Sequence, residues 1–216
     1  MINTISQIGE VIQNSNVFNI NHWNTEMDDV NALGKTIQKL FLILKQRHIN
    51  YVLVGGIALL HYVEGRNTQD LDLLMSVGEI KKIPEFVITS QDMYFARAEY
   101  DQLQIDIFLT KNPLFKKVQQ AYSSKQKTGD TEISIATVEG LILLKLYALP
   151  SLYRQGNFAR VGLYENDIAT LIQAYQPDLS AIRSELSKAL DENDLRKVNG
   201  ILEDIHHRIR RFGDRL

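Results

Sequence analysis

The sequence contains no cysteine. Disulfide cross-links, thiolate zinc sites and a cysteine nucleophile are therefore excluded. No apolar stretch reaches the length of a membrane span. The start, MINTISQIGEVIQ, lacks a basic leader followed by a long apolar segment, so no secretory signal is expected, and the chain reads as a cytoplasmic protein without a membrane partner. Positive charge is not in excess either. A net charge of −2 and a pI near 6.2 argue against indiscriminate DNA binding. A folded RNA bound by shape stays open.

Apolar residues make up 44% of the 216 positions, enough for a sizeable core in one domain or two small lobes. Charge is distributed unevenly: residues 1–110 hold 8 Lys or Arg against 13 Asp or Glu, and residues 111–216 hold 16 against 13. An acidic half suits the gathering of divalent cations, and a mildly basic half suits contact with phosphates.

The stretch that organises the chain is Tyr51–Asp72, YVLVGGIALLHYVEGRNTQDLD. An apolar run of strand length enters Gly55-Gly56, passes through a further apolar segment and ends at two carboxylates separated by one residue. Side chains alternate along a strand, so Asp70 and Asp72 project from one face while Leu71, Leu73 and Met75 anchor the other. Carboxylates placed in this way repel unless a cation or proton intervenes, which favours a metal site. In QLQIDIFL, residues 102–109, the alternation of Leu103, Ile105, Ile107 and Leu109 leaves Gln104, Asp106 and Phe108 on the second face. Asp106 is a third carboxylate in a strand close to the core, where an unpaired acid is costly.

Val54-Gly55-Gly56, Asp70-Leu71-Asp72 and Ile105-Asp106-Ile107 together resemble the polymerase-beta-like nucleotidyltransferase superfamily. The wording Gly-Gly-x-Ala-Leu through Arg66-Asn67-Thr68-x-Asp70-Leu71-Asp72 is similar, more narrowly, to AbiEii-type nucleotidyltransferases of bacterial toxin and abortive-infection systems. The likeness covers roughly residues 50–175. It implies an α+β (α/β-like) fold: a minimal mixed sheet flanked by helices, with a helical C-terminal half. It also implies magnesium, or manganese, held by Asp70, Asp72 and Asp106, and an NTP as substrate. One ion would neutralise the triphosphate and the other would lower the pKa of an acceptor hydroxyl. Gly55 and Gly56 would let backbone approach the phosphates at a helix start. By position, the resemblance adds Lys145 and Asp167 from the helical half, with Asp167 orienting the lysine or joining it in an ordinary salt bridge. Asn166 departs from the pattern, since many relatives carry lysine before the aspartate. Arg66 has two readings, a phosphate clamp and a structural ion pair.

In chain order, residues 1–24 form an Asn-rich extension in which Trp23 docks to the body or faces a partner. Residues 25–122 form the catalytic core and residues 123–216 a mostly helical lobe. Thr25–Gln46 has helical spacing, with Asn24 or Thr25 as cap. Further helices are expected at Ile57–Val63, Leu114–Tyr122, Val138–Leu149, Leu163–Tyr175, Leu179–Leu190 and Glu192–Phe212. Strands are expected at Tyr51–Val54, Leu71–Met75, Phe86–Thr89, Tyr94–Tyr100, Leu103–Leu109 and Ile133–Ala136, with a tight turn at Asp101-Gln102. Ser123–Asp130 reads as a flexible connection or hairpin rim, and Pro150 as a helix stop. The function that the resemblance implies is transfer of an NMP group from an NTP to RNA, with tRNA as one such acceptor and a cognate toxin or antitoxin as partner. A protein acceptor and a catalytically idle antitoxin scaffold are the alternatives.

Overall fold

The computed structural model describes residues 28–63, 70–128 and 131–213. The extension 1–24 with Trp23, the cap Thr25, and the loop residues Arg66 and Thr68 lie outside the described residues. The chain divides between Ala136 and Thr137 into two compact units.

The first unit begins with helix α1, Asp28–Gln46. Ile37, Leu40, Phe41 and Leu44 recur on one face and are at most 1% exposed. Burying each contributes roughly 1.5–3 kcal/mol. After it come β1 (Tyr51–Val54), α2 (Gly55–Leu60), β2 (Leu71–Met75), α3 (Val77–Ile80), β3 (Val87–Gln91), β4 (Phe95–Tyr100), β5 (Leu103–Leu109), α4 (Pro113–Ala121), β6 (Ser123–Thr128) and β7 (Thr131–Ala136). The strands form one mixed sheet in the order β3-β4-β5-β2-β1-β7-β6. β2 is central, antiparallel to β1 and parallel to β5.

Alternation decides which side chains meet which helix. Leu103, Ile105, Ile107 and Leu109 are at most 2% exposed on one face of β5. α1 covers that face, with the Phe41 ring 6.0 Å from that of Tyr51 and Lys39 Nζ 5.9 Å from the Tyr100 ring centre. On the opposite face Phe115 of α4 meets Phe95 and Phe108, each with ring centres 5.4 Å away. α4 starts where Asn112-Pro113 breaks the strand. The Asn112 side-chain oxygen accepts from the N–H groups of Leu114 and Phe115, and proline occupies a first-turn position where no N–H is needed.

The polar stretch Ser123–Thr128, expected as a flexible connection or hairpin rim, is strand β6 of a hairpin, paired with β7 from Ser123↔Ala136 to Thr128↔Thr131. Ile133 and Ile135 anchor β7 in the core. β6 is an edge strand, and an edge tolerates polar and lysine-bearing sequence. The hairpin therefore belongs to the sheet, within the first compact unit.

The second unit is helical: α5 (Val138–Arg154), α6 (Phe158–Tyr175), α7 (Leu179–Leu186) and α8 (Glu192–Gly213). Thr137 caps α5 by accepting from the Gly140 N–H at 3.3 Å. Pro150 does not end this helix, which runs on to Arg154. The proline lies in the last part of the helix, beside a fully buried Leu149, and packing offsets the lost backbone bond. Arg154 then closes on Asp194 of α8, its Nη1 donating to both carboxylate oxygens at 2.8 and 2.7 Å. α6 starts at Phe158, ahead of the expected Leu163, because Asn157 accepts from the Arg160 N–H and acts as its cap. Among the described residues no helix is long and apolar enough to cross a membrane.

Candidate active site

The hairpin turn at Asp101 and Gln102, both with positive φ (45° and 67°), sets the register of β4 on β5. Tyr100 opposes Leu103, and counting outward places Arg97 opposite Asp106. On its other side β5 is parallel to β2 and places Asp106 beside Asp72. Directly paired residues project to the same side of a sheet. Asp70 lies two residues before Asp72, and its Oδ1 accepts from Gln104 Nε2 at 3.4 Å, so it shares that side as well. Asp70, Asp72 and Asp106 thus occupy one face across adjacent strands. Phe108, two residues along β5, marks where α4 begins to cover this face.

Gly55 shows how tightly Asp72 is seated. Val54 pairs with Asp72, and Gly55 follows immediately with φ +67°, a left-handed conformation that glycine adopts freely. A Cβ at residue 55 would stand 1.9 Å from Asp72 Oδ2 and 2.4 Å from its Cγ. The missing side chain is filled by the carboxylate itself. Gly56 is buried in the first turn of α2, whose N-cap, Val54, offers no side-chain hydrogen bond. Tyr62, just beyond α2, donates its hydroxyl to the Ala136 carbonyl at 2.8 Å and ties that helix to β7.

Asp106 is already engaged. Arg97 Nε donates to Oδ1 at 2.7 Å and Nη2 to Oδ2 at 3.1 Å, a two-pronged contact between a half-exposed guanidinium and a carboxylate 19% exposed. The hydrogen bond and charge of Asp106 push the arginine pKa up, and the more distant charge of Asp70 adds to this. Three neighbouring carboxylates repel one another, and the guanidinium relieves part of that repulsion. Among the described residues no three acid or histidine groups converge closely enough to hold a metal ion. Asp106 is turned to Arg97, and Asp70 accepts from Gln104. The donor set nevertheless fits a hard divalent cation in kind: carboxylate oxygens on one face, one of them in a cradle that a Cβ would fill.

In the second unit α5 packs on α6 and brings Lys145 and Asp167 together. Lys145 Nζ donates to Asp167 Oδ2 at 2.8 Å, and the side chains are 5% and 4% exposed. The ammonium also lies 4.4 Å from the centre of the Tyr164 ring. Lys145 is therefore buried and paired, and does not reach along apolar surface to solvent.

Arg97 and Gln104 are the site residues that sequence reasoning passed over. The signal for Arg97 was present: once Asp101-Gln102 is a two-residue turn, the strand register puts residue 97 opposite residue 106.

No protein-family model and no curated protein matches the sequence. Solved structures do match. An antigenic nucleotidyltransferase-like protein from Paracoccidioides brasiliensis has a TM-score of 0.52 at 17% identity, over 82% of this chain and 86% of that one. The solution structure of the antibiotic-resistance factor ANT(2'')-Ia has a TM-score of 0.52 at 15% identity, over 81% of this chain and 96% of that one. The fold is the nucleotidyltransferase fold. The mixed sheet, its flanking helices and the helical C-terminal half agree with the architecture expected from the sequence. At such identities the likeness is one of fold, and the narrower likeness to AbiEii-type enzymes rests on the sequence motif alone.

Proposed function

We propose that the chain is a divalent-cation-dependent nucleotidyltransferase that moves an NMP group from an NTP to an acceptor hydroxyl. The observation that carries this reading is the register of Asp72 beside Asp106, with Asp70 on the same face and Gly55 bare against Asp72. Asp70, Asp72 and Asp106 are the residues that would hold magnesium or manganese. The cation supplies neutralisation of the polyphosphate and activation of the acceptor hydroxyl when bound. Gly55 keeps the Asp72 carboxylate close to the start of α2 by leaving room for it. RNA, with tRNA as one such acceptor, is favoured by the AbiEii-type motif and by the basic balance of residues 111–216; a toxin–antitoxin setting with a cognate partner protein follows from the same motif. Arg66 is proposed to clamp phosphate, and Lys145, oriented by Asp167, keeps the part in transfer that the sequence resemblance implies.

One observation favours a second reading. An arginine bound in two-pronged fashion to the third carboxylate is what a catalytically idle scaffold would retain. Incubation with each α-labelled NTP, magnesium, and cellular RNA or protein, followed by separation of the products, separates the two. The transferase reading expects label on RNA from at least one NTP, abolished by Asp72→Asn. Label on protein would move the acceptor assignment. No label on any acceptor, with a folded protein, would support the scaffold.

A further inference from the structure

The Arg97–Asp106 pair sits inside the proposed cation site, and its placement is set by the sheet. Arg97 and Asp106 are register partners on β4 and β5, so the hairpin keeps the two side chains within reach of each other. Its two prongs, at 2.7 and 3.1 Å, occupy both carboxylate oxygens of Asp106. A cation that uses Asp106 competes with the guanidinium for these oxygens. Exchange is feasible because Arg97 is 49% exposed, and a solvated ion pair is weakly held. Arginine does not lose its charge when it lets go, and the planar fork that fits a carboxylate fits a phosphate equally well. Released from Asp106, it would still stand on the carboxylate face, beside the place where an anionic substrate must sit.

We propose that Arg97 is an exchangeable counter-ion of this site: it occupies Asp106 until a divalent cation displaces it, and then binds a phosphate of the incoming nucleotide. The proposal rests on the transferase reading and adds a positioning residue to it. Arg97 opposes the cation and assists the nucleotide, so removing it has effects of opposite sign on the two ligands. No purely structural ion pair predicts that reversal.

The test uses the full chain and two binding measurements. Free Mn²⁺ is followed by electron paramagnetic resonance without nucleotide, and a non-hydrolysable NTP analogue is titrated at saturating Mn²⁺. Arg97→Gln is expected to bind Mn²⁺ more tightly by up to about fivefold, the upper end set by an exposed ion pair. It is expected to bind the analogue about tenfold more weakly, as for loss of a charge-assisted bond to phosphate. Arg97→Lys, which keeps the charge without the fork, should fall between wild type and Arg97→Gln in both measurements and guards against a folding defect in the glutamine variant. Unchanged or weaker Mn²⁺ binding by Arg97→Gln, or unchanged analogue binding, overturns the exchange. If wild type binds Mn²⁺ and Asp72→Asn does not, while Arg97→Gln behaves as wild type, the exchange fails and the transferase reading stands. If wild type itself binds no Mn²⁺, both fail.

Discussion

Two acid–base pairs, one in each unit, are alike in charge and distance and differ in physics. Lys145–Asp167 is sealed between helices with side chains 5% and 4% exposed, whereas Arg97–Asp106 lies on a sheet face with its arginine 49% exposed. A sealed pair has given up the hydration of both charges, and neither partner can leave without stranding the other. A half-solvated pair can be traded for another ion at little cost. Burial, more than the distance between the charges, separates a brace from an exchangeable contact.

The largest effect should come from the sealed pair. Lys145→Ala leaves Asp167 buried without its partner and should lower stability in urea unfolding by about 3–5 kcal/mol. Lys145→Met combined with Asp167→Leu should recover most of that loss, since a matched apolar pair strands no charge. This double variant also sharpens the functional question. Restored stability with lost NMP transfer would assign Lys145 to the chemistry, and restored stability with normal transfer would leave it as a brace. A single alanine variant as stable as wild type would break the comparison at its root.

Gly55→Ala should come next. The new Cβ meets the Asp72 carboxylate in a backbone conformation that alanine resists, for a loss of about 1–3 kcal/mol. Mn²⁺ binding should weaken in parallel, because the displaced group is a proposed ligand. A stable Gly55→Ala protein with normal Mn²⁺ affinity would show that Asp72 is not held where the cation needs it. The smallest effect on stability belongs to Arg97→Gln, expected to cost less than about 1 kcal/mol by thermal unfolding. A loss as large as that of Lys145→Ala would make both pairs structural and erase the contrast.

The carboxylate face was legible in the sequence because it rests on local regularities. Asp70 and Asp72 are phased by strand alternation, Asp106 by the alternation of Leu103, Ile105, Ile107 and Leu109, and the parallel pairing of β2 with β5 follows once the fold is recognised. The pairing of Lys145 with Asp167 came with the resemblance and is met by two packed helices. Features decided by tertiary context were less legible. Pro150 reads as a stop locally, yet buried packing carries α5 past it. Ser123–Thr128 reads by composition as a flexible connection or a hairpin rim, and only its partner strand decides for the hairpin at a sheet edge. Arg97 carries no motif, and its role emerges only when the hairpin register is counted from the turn.

The face shared by Asp70, Asp72 and Asp106 is tested most directly by one measurement. Wild type and Asp72→Asn, matched for folding by circular dichroism, are incubated with α-labelled NTPs, magnesium and cellular RNA, with and without a chelator. Label should pass to RNA with wild type, vanish when magnesium is chelated, and be absent with Asp72→Asn. Equal labelling by wild type and Asp72→Asn would contradict the assignment of this face as the site of transfer.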